Sequence, residues 1–110
     1  MVVTCPDLES VMQRIAAGGL EDPLYMSPSG PITPLDIFYG HGEAIARGEI
    51  YMAHRTGFTL KTLDAHARTA GFGGLGLRRR PQYFDLWMIG TKRPVGNAHM
   101  ADLLNRFASA

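Results

Sequence analysis

The chain reads as an α/β fold: a strand at the start, helices through the middle and an antiparallel pair of strands near the end. Three observations carry this expectation. Met1-Val2-Val3-Thr4 is apolar and β-branched, as buried strands are. Residues 60–70 place apolar side chains at helical spacing between a capping threonine and a glycine. Residues 83–92 are apolar on both alternating sets, the pattern of a strand covered on two sides.

Taken in order, residues 1–5 form the first strand, and Cys5-Pro6-Asp7 turns the chain into a helix. Leu8, Val11, Met12 and Ile15 recur at i, i+3, i+4, i+7, and Gly18-Gly19 stops that helix. Residues 20–34 are rich in Pro, Gly and Ser and read as an ordered loop, because Pro28, Pro31 and Pro34 restrict the backbone. Thr33-Pro34 then predicts a helix start, with Thr33 as N-cap. That helix ends at Gly40, and a second short one through Ala44 and Ile45 ends near Gly48.

Thr59 caps the clearest helix, whose inner stripe is Leu60, Leu63, Ala67 and Ala70; Gly71 supplies its left-handed stop. In the next strand Leu75 and Leu77 alternate with Gly74, Gly76 and Arg78. Arg80-Pro81-Gln82 turns the chain into the last strand, where Leu86 and Met88 oppose Trp87 and Ile89. A final helix follows, with Asn97 as cap and Met100, Leu103, Leu104 and Phe107 at helical spacing. Met12, Met88 and Met100 all read as core.

Composition narrows the function classes. With 110 residues, 45% apolar and 19% charged, the chain has room for one small folded domain. A net charge of +1 calls for neither nucleic acid nor an anionic membrane. Arg78-Arg79-Arg80 is the one basic run; on a strand its side chains alternate, and it reads as a solvated strand end. The single cysteine, Cys5, forms no intramolecular disulfide and suits a reducing compartment. With no apolar run of about 20 residues and no signal-like start, the expectation is a cytoplasmic protein without a membrane partner.

Four segments together resemble the C-terminal portion of the class I (Rossmann-like) S-adenosylmethionine-dependent methyltransferases. VVTCPDLESV (Val2 to Val11) resembles the end of the fifth strand, and PLDIFYGH (Pro34 to His41) an insertion found in small members of the family. HRTGFTLKTLDAHARTAGF (His54 to Phe72) resembles the helix leading into the sixth strand, and YFDLWMIGTKRP (Tyr83 to Pro94) the seventh. The resemblance implies one parallel strand, helices, and a terminal antiparallel hairpin whose last strand lies antiparallel between the fifth and sixth. It divides the chain into a partial methyltransferase-like domain, residues 1–94, and a C-terminal helical tail, residues 95–110. The N-terminal cofactor-binding half is expected to be absent. GFGGLG (Gly71 to Gly76) does not replace it, since it follows a helix and precedes a strand.

The resemblance therefore implies a fragment or truncated form that supplies substrate-side and sheet-closing elements. It implies S-adenosylmethionine as the family's cofactor, with none held tightly by these residues and little activity from them alone. No catalytic residue is assigned. Asp7 follows a strand end, where α/β sheets place ligands, although capping of the following helix accounts for it more simply, without a ligand. Tyr39, His41, His54 and Arg55 are the other substrate-side candidates, since an imidazole can act as base toward a methyl-accepting oxygen or nitrogen. His41 and His54 lie thirteen positions apart with no cysteine or paired carboxylate between them, which falls short of a zinc pattern. Expected partners are a small methyl acceptor and either a second copy or a separately encoded N-terminal half. A non-catalytic module that completes a partner's sheet is the alternative, because an uncovered first strand needs an edge partner.

Overall fold

A computed structural model describes residues 1–109. The chain is mixed α/β, with small antiparallel sheets, and divides into two compact units. One comprises Met1–Asp7 and Phe58–Ala110; the other, Leu8–Gly57, is inserted between them in sequence.

The first unit is built on three strands: β1 (Val2–Pro6), β4 (Gly74–Arg80) and β5 (Asp85–Thr91), ordered β1-β5-β4. Two helices belong to it, α4 (Leu60–Ala70) and α5 (Asn97–Phe107). Both ladders are antiparallel, with Val3 opposite Met88 and Leu77 opposite Met88 on the other side. The expected parallel strand is thus corrected. β1 and β4 run the same way but are held apart by β5, so each pairs only with a neighbour of opposite direction. No parallel ladder or larger Rossmann-like sheet is present among the described residues; the one parallel pairing is the isolated bridge between Asp7 and Phe58.

Strand alternation decides what each face meets. Val3, Cys5, Leu75, Leu77, Leu86 and Met88 pack with Leu63 and Ala67 of α4 into the core. Full burial of Leu86 alone contributes about 2–3 kcal/mol. Gly76 and Ile89 share the opposite face, where Gly76 lets α5 approach: a side chain there would meet Met100 Sδ at 2.5 Å. Helices on both faces explain why β5 is apolar on both. Thr59 caps α4 through a capping box with Thr62, and Gly71 ends it in the left-handed conformation at φ 89°. The cap of α5 is Gly96 rather than Asn97.

The second unit holds α1 (Leu8–Ala17), the strands β2 (Tyr25–Ser27) and β3 (Gly30–Ile32), and the short helices α2 (Pro34–Tyr39) and α3 (Gly42–Ala46). A 3-10 turn over Ile50–Met52 follows. On α1 Val11 is fully buried, but Met12 is 51% exposed and is not core. The loop expected over residues 20–34 contains the β2–β3 hairpin, closed by Pro28-Ser29 with Gly30 at φ 110°.

Candidate functional site

Asp7 sits at the end of β1, and its backbone N–H donates to the Phe84 carbonyl at 2.9 Å. It is fully buried, and its carboxylate is paired with the Arg79 guanidinium through Nε. β4 delivers Arg79 to the same face as Cys5 and Leu86, which the ladder places in line. A carboxylate taken out of water requires such a partner. Burial pushes the Cys5 thiol above its ordinary range, and the carboxylates of Asp7 and Asp85 push it the same way. The thiolate is the reactive form of cysteine, so Cys5 is held in its unreactive state.

The other candidates belong to the inserted unit. Thr33 caps α2, and Asp36 completes the capping box: its Oδ2 accepts from the Thr33 N–H at 2.9 Å and from Thr33 Oγ1 at 3.0 Å. Its Oδ1 accepts from the Gly42 N–H at 2.9 Å, so one carboxylate ties the start of α2 to the start of α3. Burial acts to raise the Asp36 carboxyl, but the hydrogen bonds from Gly42 and Thr33, with nearby His41, hold it below its ordinary value. His41 occupies the N-cap of α3 without a side-chain capping bond.

Between them, Gly40 turns at φ 101°, and a Cβ there would run into the Met52 carbonyl oxygen. Only glycine allows that approach. It lays Tyr39-Gly40 against Met52-Ala53, and the His54 N–H then donates to the Tyr39 carbonyl at 3.0 Å. His54 Nδ1 lies 2.8 Å from the Ile37 carbonyl oxygen. A carbonyl can only accept, so Nδ1 carries the proton and Nε2 is the free nitrogen of the neutral ring. In the same unit, Tyr39 is 66% exposed, Ile50 73%, Tyr51 76% and Met52 41%. Tyr51 donates its hydroxyl to Glu49 at 3.0 Å, and Arg47 pairs with the other Glu49 oxygen. Arg55 is exposed.

Of the residues singled out from sequence, Tyr39 and His54 are thus brought together, and His41 and Arg55 share their unit. Asp7 belongs to the other unit. The Gly40 approach and the Ile37 carbonyl escape sequence reasoning; the only signal was a glycine at the helix end. The arginine run is corrected too, since it is no solvated strand end. Arg78 donates to the Ala108 carbonyl at 2.8 Å and to Asn105 Oδ1 at 3.0 Å. Arg80 grips Asp85 through both carboxylate oxygens and lies 4.4 Å from the Tyr83 ring centroid and 5.2 Å from that of Trp87. Its bond to Asp85 raises the guanidinium above its ordinary value. The arginines therefore fasten β1 and the end of α5 to the sheet.

Among the described residues, no group of three or more His, Cys, Asp or Glu side chains could hold a metal ion. No helix among them is long and apolar enough to cross a membrane. No protein-family model, curated protein or solved structure matches the chain.

Proposed function

We propose that these residues are the sheet-closing and substrate-side portion of a class I S-adenosylmethionine-dependent methyltransferase. The observation that carries the reading is the order β1-β5-β4, with β5 antiparallel between two strands that run the same way. That is the placement the resemblance implies for the last strand. Helices on both faces and the left-handed stop at Gly71 agree with it. On this reading the insertion carrying Tyr39, His41, His54 and Arg55 faces the methyl acceptor, while Asp7 is held by Arg79 in support of the strand end. The family's cofactor would be bound mainly by a strand–turn–helix glycine loop from elsewhere. Isothermal titration of the chain with S-adenosylmethionine is expected to give no micromolar binding; micromolar affinity would overturn the assignment.

A second reading, a module that completes a partner's sheet, is favoured by the outer edge of β1. Met1 and Gly90 exchange backbone hydrogen bonds at 2.9 Å, and Asp7 bonds to Phe84, so odd-numbered residues face β5. Val2 and Thr4 therefore direct their backbone groups to the open edge, which can accept a strand. Sedimentation equilibrium tests this: association should rise with concentration, and a monomer at micromolar concentration would dismiss pairing between copies.

A further inference from the structure

We propose that the open edge of β1 pairs with the same edge of a second copy of the chain, antiparallel, with Val2 of one copy opposite Thr4 of the other. A second copy as partner rests on the second reading above, in which this edge takes up a strand. Odd-numbered residues of β1 bond to β5, so Val2 and Thr4 each turn an N–H and a C=O outward. Among the described residues β5 is the only strand paired with β1, and neither Val2 nor Thr4 has a hydrogen bond on the outer side. The edge closes just beyond them. Pro6 has no N–H to offer, and Asp7 is bridged to Phe58. Val2 and Thr4 are therefore the residues that an added strand can engage.

These groups select the register. Residues that exchange hydrogen bonds in an antiparallel pair lie opposite each other, so an outward residue must meet an outward residue. Val2 against Thr4 lets both residues of both copies donate and accept. Thr4 against Thr4 would instead set Val2 opposite Pro6, which cannot donate, and Val2 against Val2 would carry Thr4 past Met1 of the other copy. In the favoured register Val3 meets its own equivalent as the close, non-hydrogen-bonded pair. Val3 is half-buried against the core under α4, so this contact continues that core from one copy to the next. On the other face Val2, 43% exposed, lies beside the exposed Thr4. No side chain from Met1 to Pro6 is charged. Two copies thus meet without like-charge repulsion, and without the lysine or inward charge that commonly guards an edge. Identical edges matched in this way close a two-fold dimer.

The test uses the full chain and two variants. Thr4→Pro removes an N–H that faces away from β5, so the ladder to β5 is kept. Thr4→Lys places a charge on the edge at an exposed position and spares the backbone. Sedimentation equilibrium from about 5 to 500 µM should carry the wild type from monomer toward dimer. Thr4→Pro should stay monomeric with an unchanged circular dichroism spectrum, and Thr4→Lys should weaken the dimer about tenfold or more. Raising sodium chloride from about 0.05 to 0.5 M should change the dissociation constant less than about twofold, because no ion pair joins the copies. With labelled and unlabelled chains mixed, NMR should show the Val2 amide proton of one copy close to that of Thr4 in the other. A wild type monomeric throughout, a dimer that survives both substitutions or depends steeply on salt, or another register would each overturn the proposal. Failure of the edge reading itself looks different: the Val2 and Thr4 amides would resist hydrogen exchange in dilute monomer, whereas an open edge leaves them unprotected.

Discussion

Replacing Arg79 with methionine should destabilise the chain far more than replacing its partner Asp7 with asparagine. The difference comes from exposure: the Asp7 side chain is 0% accessible, whereas that of Arg79 is 23% accessible. Without Arg79 a carboxylate remains in the interior with water excluded, a situation that costs about 3–5 kcal/mol. Without the Asp7 charge, the guanidinium still reaches solvent, and the asparagine amide keeps its oxygen as an acceptor; about 1–2 kcal/mol is expected. Against a total of about 5–15 kcal/mol for a domain, the first loss is a large fraction. Urea unfolding followed by the fluorescence of Trp87, the only tryptophan, reads both variants. The double variant should fall closer to Asp7→Asn than to the sum of the two, because the buried charge is gone. If Arg79→Met costs less than about 1 kcal/mol, the pair does not hold β1 and β4 to the core as argued.

Asp36→Ala removes acceptors for Thr33 and Gly42 and should cost about 2 kcal/mol at neutral pH. Because the folded carboxyl is held below its ordinary value, this contribution is full above the ordinary carboxylate range and is lost as pH falls through the lowered one. Wild type and variant should therefore converge in acid, as urea midpoints across pH will register. Gly40→Ala forces a Cβ into the Met52 carbonyl at a positive φ; a loss above about 2 kcal/mol is expected, with the His54 NMR signals shifted as the Ile37 contact breaks. Cys5, whose thiol burial holds in the neutral form, should react with iodoacetamide at pH 8 much more slowly than the same thiol in urea; equal rates would contradict that burial.

The legible parts of this fold are those governed by near neighbours. Thr59 and Gly71 announce α4, Thr33-Pro34 announces α2, and two apolar alternations announce a covered β5, because caps and alternation are written within a few residues. The β2–β3 hairpin stayed hidden because Pro28, Pro31 and Pro34 read as the restraints of an ordered loop, and three-residue strands carry too little alternation to be seen within it. Arg79 was misjudged for a different reason. Alternation says which face a side chain takes, but not that a carboxylate 72 positions earlier waits on that face. At the site, His54 could be suspected from its chemistry, while its orientation depends on a carbonyl 17 residues away. Strand direction was the remaining gap, since no local signal tells β1 which neighbour it will have.

The bridge between Asp7 and Phe58 means that the inserted segment leaves the first unit and returns to it at adjacent points. Its two ends are already together in the folded chain. The entropy of closing such a loop grows only slowly with its length, so the number of residues between the two points adds little to the cost of closing it. The cost of closing the excursion is thus met by the join between Asp7 and Phe58, and hardly depends on how many residues lie between them.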